Sequence, residues 1–353
     1  MASLPTVSDY AQTFLTMEPS GLEGYVDGGS GRGITLERNT QAWDAIELLP
    51  HSLHAGGEVD MSVEVLGVSE ALPFMIAPVG FQEYVYPKGG LLVPQAAAAT
   101  GTRYIHSTFA TSGFKDLEGI PNLRWWFQLY AFNDSGLNRA LIERAIQAGA
   151  SAIVFTVDLA ALGVRERDVH SGFTLRGGKV VPCLADVGAE DPRLAPSWQA
   201  LDHNLTWDTL REVVGWSTVP VLVKGILRGD DARHCIENGA AGVVVSNHGG
   251  RQLDTAAPTA SILASVVDAV NGSGTVLVDS GIRSGLDIAK ALALGADAAL
   301  IGRPILWGLG VAGQEGVANV IELLRADFER SLILIGVRDA KQLSRSVIYS
   351  HSS

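Results

Sequence analysis

Cysteine is nearly absent. Cys183 and Cys235 are the only two in 353 residues, too few for a disulfide framework and in keeping with a reducing compartment. A basic excess is absent as well. Lys and Arg number 26 against 38 Asp and Glu, for a net charge of −12. That balance argues against nucleic acid or an anionic membrane as the main partner, while leaving room for a local basic pocket that takes a small anion. No apolar stretch reaches the roughly 18 residues of a membrane span, and the most apolar C-terminal region is broken by Arg303 and Glu315. The opening MASLPTVSDY lacks the basic-then-apolar order of a secretory signal. A cytoplasmic protein is therefore expected. Charged residues make up only 18% and hydrophobic residues 47%, so the chain has material for a large core and does not read as disordered.

What is present is a rhythm. The first 70 residues read as irregular, with a weakly helical start and a glycine-rich GYVDGGSGRG at 24–33. After them come eight short apolar runs: 74–77, 103–107, 126–130, 152–158, 219–225, 241–247, 275–281 and 298–304. They are rich in Val, Ile and Leu, as strands covered on both faces should be. Helix-like segments lie between them, such as 138–150 and 284–296, the latter opening with Ser284 and Asp287 as a capping box. Eight strands alternating with helices predict an α/β fold, a (β/α)8 barrel, with a doubly wound open sheet as the competing arrangement. The barrel is favoured because polar residues gather at the C-terminal ends of the runs, among them Gln128, Tyr130, Thr156, Asp158, Lys224, Asn247, His248, Asp279 and Arg303. That end is where such a barrel carries its chemistry. The whole chain, 1–353, reads as one domain, with 1–70 as an N-terminal cap segment. The connection after the fourth run is almost fifty residues long, against about 2–6 for an ordinary loop. Residues 171–205 within it are either a decorative insertion or a lid over the barrel mouth.

Four features bear on chemistry. VVVSNHGGRQLD (243–254) runs a buried strand into His248, two glycines and Arg251. Histidine can act as a base near neutral pH, glycines permit a tight turn or a close approach, and an arginine can grip a carboxylate with two prongs. DSGIR (279–283) and IGRP (301–304) end the last two runs with glycine followed by arginine, where barrels often bind phosphate through backbone N–H groups. Lys224 ends the fifth run; buried, it needs a negative partner, and it suits either a Schiff base or donation to an electron-rich ring. Asp158 either orients a histidine or pairs locally with Arg165.

Taken together, SNHGGRQLD, VKGI upstream and DSGIRSGLDIAKALALGADAALIGRP downstream closely resemble the FMN-dependent 2-hydroxy acid oxidase and dehydrogenase family. The resemblance runs from GYVDGGSG to the C-terminal LSRSVI. It implies FMN as cofactor and oxidation of an (S)-2-hydroxy acid to the 2-oxo acid, with O2 or another small acceptor reoxidising the flavin. It implies His248 as base, Asp158 as its partner and Tyr130 on the substrate hydroxyl. Arg165, Arg251 and Tyr25 would hold the carboxylate, with Phe109 in the substrate pocket. Ser107, Gln128, Thr156 and Lys224 would bind the flavin ring, and Pro78, Val79 and Gly80 would line it near N5. Asp279, Gly281, Arg283, Gly302 and Arg303 would take the ribityl and phosphate end. No metal is implied, and a homotetramer is the family habit. The rival readings are a dehydrogenase with a non-oxygen acceptor and an FMN barrel isomerase.

The chain departs from that family in places. Ala160, Ala161 and Val164 stand where Pro, Arg and Arg are usual, YPKGG (86–90) replaces HPEGE, and Phe109 and Gly80 replace larger or different pocket residues. Gly80 is expected to open space beside N5.

Overall fold

The computed structural model describes residues 3–17, 22–54, 57–173, 180–193 and 199–350. Among the described residues, ten strands fall in two groups. β1 (Val63–Val65) and β2 (Val68–Glu70) form a small antiparallel hairpin. β3 (Phe74–Ile76), β4 (Tyr104–Ser107), β5 (Trp125–Leu129), β6 (Ile153–Thr156), β7 (Val221–Ile226), β8 (Gly242–Val245), β9 (Thr275–Val278) and β10 (Ala298–Ile301) close in chain order into a parallel barrel. All eight predicted runs are strands, and the closure excludes an open sheet. Nearly every barrel position is buried, because helices cover the outside and side chains fill the inside. The register sets polar ends level with one another: Ser107 lies opposite Gln128, and Thr156 opposite Lys224.

The helices begin where capping chemistry places them. Ser284 accepts from the Asp287 N–H while Asp287 accepts from the Ser284 N–H, so the predicted capping box starts the helix Gly285–Ala293. The helix expected over 138–150 starts earlier, at Ser135, because Asp134 caps its first N–H groups.

The first 70 residues are not irregular. They form α1 (Val7–Met17), α2 (Leu22–Asp27), α3 (Ile34–Asp44) and the β1–β2 hairpin. α3 (ITLERNTQAWD) is too polar to announce itself by periodicity. It is held by tertiary contacts instead. Trp43 is fully buried and donates its indole N–H to the Ser280 carbonyl at 2.9 Å. Asn39 and Asn247 exchange amide hydrogen bonds of 2.9 and 2.7 Å. Asp254 accepts from the N–H groups of Arg32 and Thr35. The segment is thereby tied across the C-terminal mouth of the barrel.

The long connection after β6 is not a single coil: it contains the short helices Glu166–Ser171 and Pro182–Asp186. Within the expected lid, 171–205, residues 174–179 and 194–198 lie outside the described residues. The Pro182–Asp186 helix is anchored by Cys183, which is fully buried with its sulfur 3.3 Å from His106 Nε2.

Gly250 shows how closely the mouth is packed. Its φ is +74°, and an added Cβ would stand 2.6 Å from the Leu36 nitrogen. Gly250→Ala should destabilise the protein by at least about 1–3 kcal/mol, read as a fall in chemical denaturation midpoint at unchanged slope. An unaltered midpoint would mean that the cap segment is not docked against this turn.

Candidate active site

The strand ends and the cap enclose a cavity of about 630 Å³ at the C-terminal mouth. Its electrostatics are one-sided. Among the described residues, Arg165, Lys224, Arg251, Arg283 and Arg303 line it against only Asp168 and Asp279.

His248 follows β8 with φ +57°, and Gly249 and Gly250 continue in left-handed geometry. The glycines serve close approach: a Cβ on Gly249 would meet the Arg303 guanidinium at 2.7 Å. The turn aims the imidazole into the cavity, with Nδ1 2.9 Å from Asp158 Oδ1 and Nε2 3.3 Å from the Tyr130 hydroxyl. With Nδ1–H donating to the carboxylate, Nε2 is left as the acceptor facing the cavity. Asp158 reaches His248 because Gly225, at φ +111°, has no Cβ; one there would sit 2.6 Å from the Asp158 Cβ. Burial pushes the Asp158 carboxyl up, but His248 and Lys224 beside it pull harder, and it ends below the ordinary carboxylate value. Asp158 therefore pairs with His248 rather than with Arg165, whose partner is Asp168 at 3.8 Å.

Lys224 is buried, 3.1 Å from Asp279 and donating to Ser246 Oγ at 2.8 Å. Burial alone would favour the neutral amine, yet Asp279 and Asp158 outweigh it and raise the pKa above that of an ordinary lysine. An ammonium held this firmly is a charge donor, not a nucleophilic amine, so the Schiff-base alternative falls.

Arg165 and Arg251 both stand against the Tyr25 ring, their guanidinium carbons 5.5 and 4.9 Å from its centroid. Burial and then repulsion from Arg165 push the Arg251 guanidinium down from its ordinary value. Arg165 Nε is buried without a partner, and so is Asp168 Oδ1. Two cations that repel one another, one with an unused N–H, make a site for a carboxylate. Arg283 and Arg303 repeat the arrangement at the other end. Burial pushes Arg303 down to about 10, with repulsion from Arg283 adding to it, while the N–H groups of the Gly302–Arg303 helix start lie alongside. This end fits a phosphate.

Pro78, Val79, Gly80, Ser107 and Phe109 line the cavity as well, as do Gly281 and Gly302. Gln128 and Thr156 do not reach its surface. They stand behind Ser107, which donates to Gln128 Oε1, while Gln128 Nε2 donates to Thr156 Oγ1, both at 3.0 Å. The expectation of open space at Gly80 is wrong: a Cβ there would lie 3.0 Å from the Phe109 carbonyl oxygen and 3.2 Å from its Cβ. Sequence reasoning also missed Phe81, Asp168 and Phe173 in the lining. Asp168, three residues after Arg165, could have been found from helical spacing; the two phenylalanines carry no local signal.

The family model described as FMN-dependent dehydrogenase matches residues 17–350. An L-lactate oxidase of a Nostoc species is 42% identical over 338 residues, covering 92% of each chain. The 4-hydroxymandelate oxidase of Amycolatopsis orientalis is 38% identical and covers 94% of each. The crystal structure of a mandelate oxidase superimposes with a TM-score of 0.89 at 36% identity, over 96% of each chain.

Arg251→Lys tests the carboxylate clamp. A point charge replaces a planar fork that also donates to the Tyr25 carbonyl at 2.5 Å. Turnover with a carboxylate substrate should fall by about 10–100-fold in kcat/KM, in line with losing a charge-assisted hydrogen bond of about 1.5–3 kcal/mol. Parent-like kinetics would remove Arg251 from the clamp.

Proposed function

The chain belongs to the FMN-dependent dehydrogenase family, and from that premise we propose that it oxidises an (S)-2-hydroxy acid to the 2-oxo acid, with molecular oxygen taking the electrons and leaving as hydrogen peroxide. Its cofactor is FMN. The observation that carries the reading is the line Asp158–His248–Tyr130, at 2.9 and 3.3 Å, in a cavity that Arg165 and Arg251 also line. An isomerase has no need of a carboxylate clamp beside a base.

FMN supplies the electron sink when bound; the rest falls to side chains. Arg165 and Arg251 hold the substrate carboxylate beside Tyr25, which fixes the carbinol carbon relative to His248. Tyr130 donates to the substrate hydroxyl. His248 Nε2 removes a proton as the electron pair leaves the substrate, and Asp158, kept ionised, stabilises the resulting imidazolium. Ser107, oriented from behind by Gln128 and Thr156, and Pro78, Val79 and Gly80, as a backbone edge, would hold the ring. Lys224 would hold the ring with its buried positive charge and so favour electron uptake there. Arg283 and Arg303 would hold the phosphate, with Asp279, Gly281 and Gly302 beside them. Phe109 would border the substrate.

Oxygen as acceptor is supported by the oxidase names of the relatives. A single FMN domain over 1–353, closed by 171–205 as a lid, belongs to the same proposal, as do a cytoplasmic location and a homotetramer. Among the described residues, no helix is long and apolar enough to cross a membrane.

The test is anaerobic mixing with 2-hydroxy acids, following flavin bleaching, then admitting oxygen and assaying peroxide. His248→Ala should retain FMN yet lose reduction by about 10²–10⁴-fold. A loss below about tenfold would place the base elsewhere.

A further inference from the structure

Beyond the charged groups, the cavity is walled by rings. Tyr25, Phe81, Phe109, Tyr130 and Phe173 all line it, and they form a continuous belt. Tyr130 and Phe109 have centroids 5.6 Å apart, Phe109 and Phe81 stack at 5.8 Å and 19°, Phe81 and Tyr25 meet edge-on at 6.3 Å, and Tyr25 and Phe173 lie 5.1 Å apart. The belt starts at the hydroxyl beside His248 and ends in the connection after β6.

The backbone is distorted to build it. Phe81 has φ +62°, a left-handed conformation that a bulky residue rarely adopts. It is retained by its own N–H, which donates to the Phe109 carbonyl at 2.9 Å. That carbonyl comes close only because Gly80 has no Cβ. Strain of this kind persists where the surrounding structure imposes it, and it gathers at ligand clamps. Gly80, Phe81 and Phe109 thus act as one unit whose product is a stacked pair of rings on the cavity wall. Outside the belt the rim is finished by Leu162, Val164 and Val169, exposed at 45%, 68% and 69%. An apolar rim around an aromatic wall is poor accommodation for a substrate whose side chain is a hydrogen or a methyl group, which would leave the rings facing water.

We propose that the Gly80–Phe81–Phe109 unit selects a 2-hydroxy acid with an aromatic side chain, seated against Phe81, Phe109 and Phe173 while its carboxylate lies on Arg165 and Arg251. Ring against ring contributes beyond the area it buries. The inference rests on the oxidation reading above and adds the identity of the side chain.

The experiment measures kcat/KM for glycolate, lactate, mandelate and 3-phenyllactate with the FMN-loaded enzyme and with Phe81→Leu and Gly80→Ala. The parent should favour the better aromatic acid over lactate by at least about tenfold, since even one methylene in an apolar pocket is worth about that much. Phe81→Leu keeps apolar bulk without the ring. It should lower the aromatic acids about tenfold or more through KM while changing lactate less than about threefold. Gly80→Ala, by pushing Phe109, should move the preference the same way. Lactate or glycolate equal to or better than both aromatic acids overturns the inference and leaves the oxidation reading intact. So does a Phe81→Leu enzyme weakened alike on all four. No flavin reduction by any of the four acids overturns the oxidation reading itself, and this inference with it.

Discussion

Buried positive charge is the constraint on which the mouth of this barrel depends. A chain of net charge −12 brings five cationic side chains into one cavity against two carboxylates. Holding an ion out of water costs several kcal/mol even after relaxation, roughly in proportion to what is left unpaired. Some of that cost is met internally. Lys224 has Asp279 and Asp158, and Asp27 and Asp287 lie near Arg283. The backbone of the cap segment contributes too: the carbonyls of Val26 and Gly28 accept from Arg303, and those of Tyr25 and Gly28 from Arg251. What remains is repulsion within two arginine pairs, Arg165 with Arg251 and Arg283 with Arg303. An anion at each end removes it. The phosphate of FMN and the carboxylate of a hydroxy acid are the two anions that the family's chemistry brings.

The fold delivers these charges through short strands and unusual turns. Parallel strands in register set Ser107 opposite Gln128 and Thr156 opposite Lys224, and Gln128 Nε2 reaches Thr156 Oγ1 at 3.0 Å. The turns after β8 and β9 carry His248, Gly249, Gly250, Ser280 and Gly281 in left-handed conformations. Ser280 Oγ accepts from the Gly249 N–H at 3.0 Å and donates to Asp279 at 2.7 Å, so the two turns brace each other. Helices and strands elsewhere follow their local preferences; the departures gather where ligands bind.

How much of this was legible depended on whether the signal is local. Each barrel strand is a self-contained apolar run, and the His248 and glycine–arginine turns carry their chemistry within a dozen residues, so both could be read directly. The partnership of Asp158 with His248 spans ninety positions and rests on Gly225, which bears no mark in the sequence of what it admits. The same holds for Gly80. Its missing side chain suggested empty space, whereas the fold fills that space with the backbone of Phe109. α3 was missed because its stability comes from Trp43 and Asn39 docking on distant turns, not from an apolar stripe.

The central claim is that a carboxylate bound by the arginines positions the substrate for His248. Stopped-flow reduction of the FMN enzyme under nitrogen, comparing the best 2-hydroxy acid with its methyl ester, tests this most directly. The ester keeps the carbinol and the side chain, loses the charge and adds one methyl group. The account predicts reduction at least about 10²-fold slower in kcat/KM for the ester, the loss of a buried charge-assisted pair. Equal rates for acid and ester would contradict it.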